Sequence, residues 1–447
     1  MEAPMDLASS VDRVGPPLLR TLLRRLGDPP IRFSLWGVAE VVAEGRAPLA
    51  TIALHDRRAL ALFLADPEYQ FGELFVAGRL TVEGDLVGAL RLAFGAPKRA
   101  GPAARLLDEL RRLGPHDRAH ARSSAHHHYD VGNEFYKLWL DERMIYTCAY
   151  FASPDDGLEE AQVAKLEHVC RKLALRRGEL VFEAGAGWGA LALHMARYHG
   201  VRVRAWNVSR EQVLYARERA EKEGLAGRVE FIEDDYRNVH GRCDAFVSVG
   251  MLEHVGPECY RALGGVISRV LTPEGRGLVH SIGRARAGRL NRWTERRVFP
   301  GAHAPTLREM MEIFEPNGLA VLDVENLRRH YALTARHWLA RFRAARPAIE
   351  ALVGPERTRT WELYLAGTTA SFEAATIELF QVVFNRVGAD RVPWSRAHLY
   401  TGEAPALGPP AGWGPGDCAA SAGGDAEIRR VARADGSGDA RVPVPAT

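Results

Sequence analysis

Between residues 178 and 281, short apolar runs alternate with segments of helical spacing. Glu179–Ala184, Val201–Trp206, Arg228–Ile232, Ala245–Val249 and Gly277–Ser281 read as strands, and Ala190–Tyr198 and Glu211–Lys222 as helices. Strands joined through helices need crossover connections, so this pattern predicts a parallel sheet with helices on both faces. Ahead of it, residues 1–97 mix shorter apolar runs (Ile31–Ala39, Ala50–Leu54, Leu60–Leu80) with turns, the pattern of a small α+β domain. Residues 98–122 read as a linker around one short amphipathic helix, and the main domain is expected over residues 123–403. From residue 404 to 447 the chain is rich in Pro, Gly, Ala and Asp without periodicity, which predicts a disordered tail.

Composition narrows the classes. A chain of 447 residues exceeds a single typical core, so two or three units are expected. Cys148, Cys170, Cys243, Cys259 and Cys418 are scattered without CxxC pairing, which argues against a disulfide framework and against a metal site. Met1–Ser10 carries acidic residues and no apolar core of a signal peptide, and no run approaches the roughly 18 apolar residues of a spanning helix. A cytoplasmic protein is expected, with any membrane contact peripheral, at the inner face.

The net charge of +3 says little alone, but its distribution is uneven. The linker holds Lys98, Arg99, Arg105, Arg111, Arg112, Arg118 and Arg122, either a solvated helix face or a contact for anionic lipid headgroups. Arg284, Arg286, Arg289, Arg292, Arg296 and Arg297 surround Trp293, again either a solvated loop or a grip on phosphates at a bilayer surface. No nucleic-acid module accompanies these arginines, so nucleic acid is not expected as a partner.

Glu183-Ala-Gly-Ala-Gly-Trp-Gly189 falls between the first strand and its helix. Alternate glycines let the backbone approach a ligand at the carboxyl edge of the sheet, where open α/β folds bind theirs. The spacing GxGxG is neither the dinucleotide GxGxxG nor a phosphate loop, and no lysine follows. An acidic residue leading into GxGxG is typical of S-adenosylmethionine methyltransferases, although a tight strand-to-helix turn would use the same glycines. Those enzymes usually place an acid after the second strand to hold the ribose; here that position is Asn207, in Asn207-Val-Ser-Arg-Glu-Gln212.

His128-Tyr-Asp-Val-Gly-Asn-Glu-Phe-Tyr-Lys-Leu-Trp-Leu140 and Met144-Ile-Tyr-Thr-Cys-Ala-Tyr150 resemble the leading motif of the cyclopropane-fatty-acyl-phospholipid synthase family, which includes mycolic acid cyclopropane synthases and methyl-branching lipid methyltransferases. The resemblance continues through the glycine loop, Asn207–Gln212, Ser248-Val-Gly-Met-Leu-Glu-His-Val-Gly256, His330-Tyr-Ala-Leu-Thr334 and Leu379-Phe-Gln-Val-Val-Phe-Asn385, covering about residues 126–390. It implies a Rossmann-like S-adenosylmethionine-dependent methyltransferase sheet with a smaller N-terminal α+β lipid-binding domain. It also implies a cofactor held by Tyr146, Thr147, Glu183, Gly185, Gly187, Gly189, Asn207, Ser209, Gln212, Asp235 and Tyr236, and an unsaturated phospholipid as substrate. Dimers occur in the family.

In that chemistry a methyl group passes from a sulfonium to an unactivated alkene, leaving a carbocation on the acyl chain; ring closure then needs a base. The site must be dry, tolerant of positive charge and equipped with that base. Aromatic faces suit the cation, with the leading segment and Trp188 as candidates. The family holds bicarbonate as the base, and the matching positions are Cys148, Glu253, His280, the Ile282 backbone and Tyr331. Singly, each has a plainer reading: Cys148 a small core residue, Glu253 a helix cap, His280 a core histidine, Tyr331 packing. Ala186 and Thr368 stand where the family often has cysteine. Cyclopropanation is therefore the expected activity, with methyl branching, amine methylation or non-catalytic lipid binding as alternatives.

Overall fold

The computed structural model describes residues 7–37, 39–42, 47–96, 132–288, 290–391 and 393–401. The basic linker, His128–Asp130, Arg289 and the expected disordered tail lie outside the described residues. The N-terminal part follows helix α1 (Leu7–Arg25) with strands β1 (Ile31–Leu35), β2 (Ala39–Val42), β3 (Ala50–Leu54) and β4 (Leu80–Gly84), in the order β2-β1-β3-β4. Alternating burial in β1 and β3 turns Ile31, Phe33, Leu35, Ile52 and Leu54 into one core face. The apolar run Leu60–Leu80 is two helices, α2 (Arg57–Ala65) and α3 (Pro67–Val76), ending in β4. Asp66 separates them: its carboxylate caps the N-terminus of α3, where Pro67 opens the helix without needing a donor. Helix α4 (Leu86–Gly95) completes this part.

The larger sheet has seven strands in the order β10-β11-β9-β8-β5-β6-β7. Its elements run α5 (Asn133–Lys137), α6 (Leu158–Lys172), β5 (Leu180–Ala184), α7 (Ala190–Tyr198), β6 (Arg202–Asn207), α8 (Arg210–Lys222), β7 (Val229–Glu233), β8 (Cys243–Val249), α9 (Tyr260–Val270), β9 (Leu271–Gly283), α10 (Arg292–Arg297) and α11 (Leu307–Phe314). They close with β10 (Leu319–Asn326), α12 (Arg328–Ala344), α13 (Arg346–Glu373), β11 (Glu378–Arg386) and α14 (His398–Thr401). The five expected strands are present and pair in parallel. The sheet is not wholly parallel, however: β11 inserts antiparallel between β9 and β10, and neither β10 nor β11 was among the strands expected from the apolar pattern. The chain moves outward from β5 through β6 to β7, then returns to the other side of β5 as β8. That reversal opens a crevice at the strands' carboxyl ends, beside the glycine loop.

The segment α13 is two helical stretches broken at Gly354, whose φ of 81° is non-helical, and it packs against α12, α3 and α4. It shares one core cluster with the N-terminal sheet and with the aromatic side chains of α5 and the segment after it, while the larger sheet packs two further clusters on its own strands.

Candidate active site

At the reversal lies a cavity of about 510 Å³. The glycine loop forms one wall, because Gly185, Gly187 and Gly189 all adopt positive φ, which side chains with a Cβ rarely accept. A Cβ on Gly185 would stand 2.9 Å from Met251 Cβ, and one on Gly189 would stand 2.6 Å from Phe231 Cζ. Tyr146, Thr147, Glu183, Gly185, Gly187, Asn207, Gln212, Asp235 and Tyr236 line the cavity, as do Lys165, Met251 and His254. Two of the expected contacts are absent from the wall. Gly189 is the left-handed cap of α7, and Ser209 caps α8 through the Gln212 amide.

Asn207 occupies the place where related folds carry an acid. Its amide nitrogen donates to Gly187 O at 3.2 Å and to Gln212 Oε1 at 2.8 Å, tying the glycine loop to the start of α8. Across the cavity, Asp235 accepts from the Arg237 guanidinium and amide, and the Arg237 guanidinium also lies over the ring of the buried Tyr236. Burial pushes the Tyr236 phenol up to about 12.

Charge lies beneath the glycine loop. Glu183 is buried within β5, with Oε2 unpartnered among the described residues, and burial pushes its carboxyl up to about 8 against the opposing pull of Lys165. Lys165 is itself buried, and desolvation draws its ammonium down to about 8. The motif comparison did not single out Lys165. A signal was nonetheless present: it shares the apolar face of α6 with Leu158, Ala161, Leu166 and Val169, where a lysine is out of place.

Beside the cavity, the leading segment folds into an aromatic cluster. Tyr146 packs against Tyr136, Trp139, Trp338 and Trp361, with ring centroids 5.2–6.4 Å apart. Trp188 joins through Tyr136, and its indole donates to Asn133 Oδ1 at 2.7 Å. The Tyr146 hydroxyl donates to Tyr364 Oη at 3.3 Å. Thr368, one turn beyond, also hydrogen-bonds Tyr364, which gives the threonine a structural task at its position.

Of the residues expected around the base, Glu253 and Ile282 meet directly. Glu253 sits in the short turn after β8, and its Oε1 accepts the Ile282 amide at 2.7 Å. The plainer reading of Glu253 as a cap of α9 is not met, since that helix begins only at Tyr260, and the Ile282 N–H is engaged here by a carboxylate of this chain. Burial pushes the Glu253 carboxyl up to about 7, and its Oε2 is buried without a partner among the described residues. His280 does not pair with Glu253. Its Nδ1 meets Gln381 Nε2 at 3.0 Å, while Gln381 Oε1 accepts from Lys172 at 2.8 Å. Since the amide oxygen faces an ammonium, the amide nitrogen must donate to Nδ1, which leaves the imidazole proton on Nε2. Burial holds His280 neutral, down to about 3.

Cys148 is buried with its thiol pushed up by desolvation, and Sγ donates to Ala149 O at 3.1 Å. Thr334 holds the Ala149 amide at 3.0 Å, and Tyr331 lies one turn earlier on α12, stacked on Phe372 at 4.4 Å. The Lys165 charge reaches both Cys148 and His280.

Three arginines of the loop around Trp293 meet the N-terminal part. Arg292 donates to Asp66 at 2.6 Å, Arg297 makes a bidentate contact with Glu73 at 2.9 and 2.6 Å, and Arg296 lies over the Tyr69 ring. Trp293 is buried against Gly72. Asp66 at the cap of α3 and Glu73 within it complement Arg292 and Arg297, which so fasten the N-terminal part to the larger sheet.

An α/β sheet with a glycine-walled crevice at its reversal, flanked by a buried acid and an aromatic cluster, defines the methyltransferase class. Comparison with known proteins makes this narrower. The family model for mycolic acid cyclopropane synthetase matches residues 116–382, and the chain belongs to that family. It is 35% identical over 396 residues to a "Probable fatty acid methyltransferase" of Pseudomonas putida, covering 86% of this chain and 98% of that protein. It is 39% identical over 260 residues to the "Cyclopropane-fatty-acyl-phospholipid synthase" of Escherichia coli (strain K12), covering 58% of this chain and 66% of that one. The solved structure of mycolic acid cyclopropane synthase CmaA1 complexed with SAH and CTAB superposes with a TM-score of 0.57 at 27% identity, covering 62% of this chain and all of that one.

Proposed function

We propose that this chain is a cyclopropane-forming lipid methyltransferase acting on the cis double bond of unsaturated phospholipid acyl chains, with S-adenosylmethionine in the glycine-walled cavity. Glu253 is the observation that carries this reading: a buried carboxyl near 7, held by the Ile282 amide and near the Ser281 side chain, with Oε2 unpartnered among the described residues, at the sheet's carboxyl edge. Methyl transfer to an alkene leaves a carbocation, and ring closure then needs a proton removed, so the chemistry calls for a site that holds a base, which Glu253 would help to form.

The residues fit the cofactor. Positive-φ glycines admit close backbone approach, and Glu183 Oε2, without a partner among the described residues, suits an ammonium. When bound, S-adenosylmethionine supplies an electrophilic methyl on a sulfonium. The aromatic cluster around Tyr146 excludes water and presents ring faces to positive charge on the acyl chain. Cys148, Glu253, His280 and Tyr331 offer neutral or protonated donors suited to holding a bicarbonate, which would supply the base. The Ile282 amide joins that set only when Glu253 releases it. The Nε2 proton of His280, fixed by Gln381 and Lys172, serves as a donor.

Methyl branching is the second reading, favoured by the Pseudomonas putida relative's name and by Ala186 and Thr368 at positions where relatives often have cysteine. The deciding experiment incubates the protein with labelled S-adenosylmethionine and vesicles of cis-unsaturated phospholipid, then examines the labelled lipid by proton NMR. Upfield ring-methylene signals are expected; a new branched methyl without them would replace this reading with the second, and no labelled lipid would favour non-catalytic lipid binding. Access to such lipid implies peripheral contact with the inner face of the membrane, and no described helix is long and apolar enough to cross one.

A further inference from the structure

Lys165 is a buried cation on the cavity wall that the reaction chemistry does not use. Its ammonium offers three donors, and the partner seen among the described residues is Thr147 Oγ1 at 2.9 Å. Because Thr147 accepts there, its own hydroxyl proton is free to turn toward the cavity, which Thr147 also lines. Gln162 donates to Thr147 O at 2.9 Å and so fixes the residue's backbone from the same helix. The Glu183 carboxyl lines the same cavity, with Oε2 buried and without a partner among the described residues. A cation with spare donors, a hydroxyl aimed by it and an orphaned carboxylate oxygen together complement a zwitterion.

We infer that Lys165, with Thr147 as a bridging donor, binds the carboxylate of the cofactor's amino-acid end, while Glu183 receives its ammonium. The inference rests on the reading of this cavity as the S-adenosylmethionine site and assigns it a charge clamp that composition and motif do not reveal. Keeping a lysine in the apolar core of α6 costs desolvation, visible in its lowered affinity for a proton, and a bound carboxylate would offset that cost. A scaffold role alone, holding Thr147 in place, would need only a neutral hydrogen-bond donor.

The test uses calorimetric titration of the full-length protein with three ligands: S-adenosylhomocysteine, its carboxamide, and 5′-methylthioadenosine, which keeps the nucleoside and thioether but lacks the amino-acid end. For Lys165→Met, S-adenosylhomocysteine affinity is expected to fall about tenfold or more, the size of a lost charge-assisted contact, with 5′-methylthioadenosine changed by less than about twofold. Equal losses for both ligands, or no loss for the first, would overturn the inference. The wild-type protein gives an independent reading should the variant not fold: the carboxamide is expected to bind about tenfold more weakly than the acid, and equal binding overturns the assignment. Failure of the wild type to bind any of the three would instead remove the cofactor reading on which the clamp depends.

Discussion

Glu253 and His254 are neighbours in one short turn, yet burial drives them in opposite directions, the acid up to about 7 and the imidazole down to about 4. Both shifts disfavour the charged form. For His254 the folded affinity for protons lies below that of the unfolded chain. The unfolded chain therefore takes up protons first as pH falls below about 6.5, and the stability present above that value is lost on acidification toward about 4. Thermal melts between pH 7 and pH 5 should show a smaller fall for His254→Gln than for the wild type, by about 1–2 kcal/mol of stability. Identical pH slopes would mean that His254 is not kept neutral by burial. Glu253→Gln preserves the size of the side chain and removes its acid–base function. It should reduce lipid product formation about 100-fold or more while S-adenosylhomocysteine affinity, measured by calorimetry, stays within about threefold. Full turnover in that variant would remove Glu253 from the base site.

The glycine loop and the start of α7 work as one element. Gly185 combines φ 86° with a Cβ position 2.9 Å from Met251, so Gly185→Ala is strained by both backbone and neighbour. A loss of cofactor affinity of about tenfold or more is expected, with the far-ultraviolet circular dichroism unchanged. At this scale much was legible in the chain. The strands at Glu179–Ala184 and Ala245–Val249 are apolar runs because both their faces are covered, and the glycines announce a turn that a Cβ would obstruct. β10 and β11 were not legible. Val382–Phe384 is as apolar as a core helix turn, and nothing local reveals that β11 runs antiparallel between β9 and β10.

Across the whole molecule, the N-terminal part is held by charge complementarity around a buried tryptophan. Arg292 and Arg297 reach Asp66 and Glu73 on α3, Arg359 donates to Val76 O at 2.7 Å, and Trp293 seats where Gly72 has no side chain. A Cβ on Gly72 would approach Trp293 Cδ1 to 2.3 Å, so Gly72→Ala should displace the ring and cost about 1–3 kcal/mol, seen as a lowered melting temperature and faster proteolysis between the two parts. The partly exposed ion pairs contribute less; Arg297→Ala should cost about 1 kcal/mol or less in the same melts. If Gly72→Ala leaves both readouts unchanged, Trp293 does not anchor the junction.

The chain by itself determined the parallel strands, the glycine turn and the family, because these depend on local periodicity, backbone freedom and short ordered motifs. Tertiary structure decided which polar side chains are isolated from water and which neighbours they meet. That is why Lys165 comes to stand beside Thr147, why Glu253 takes the Ile282 amide, and why His280 turns to Gln381, about a hundred residues away. It also assigned the arginines of α10 to α3, since a guanidinium reads the same in sequence whether it faces a phosphate or a carboxylate. Protonation and pairing depend on burial and on contacts distant in sequence, and only the folded chain supplies both.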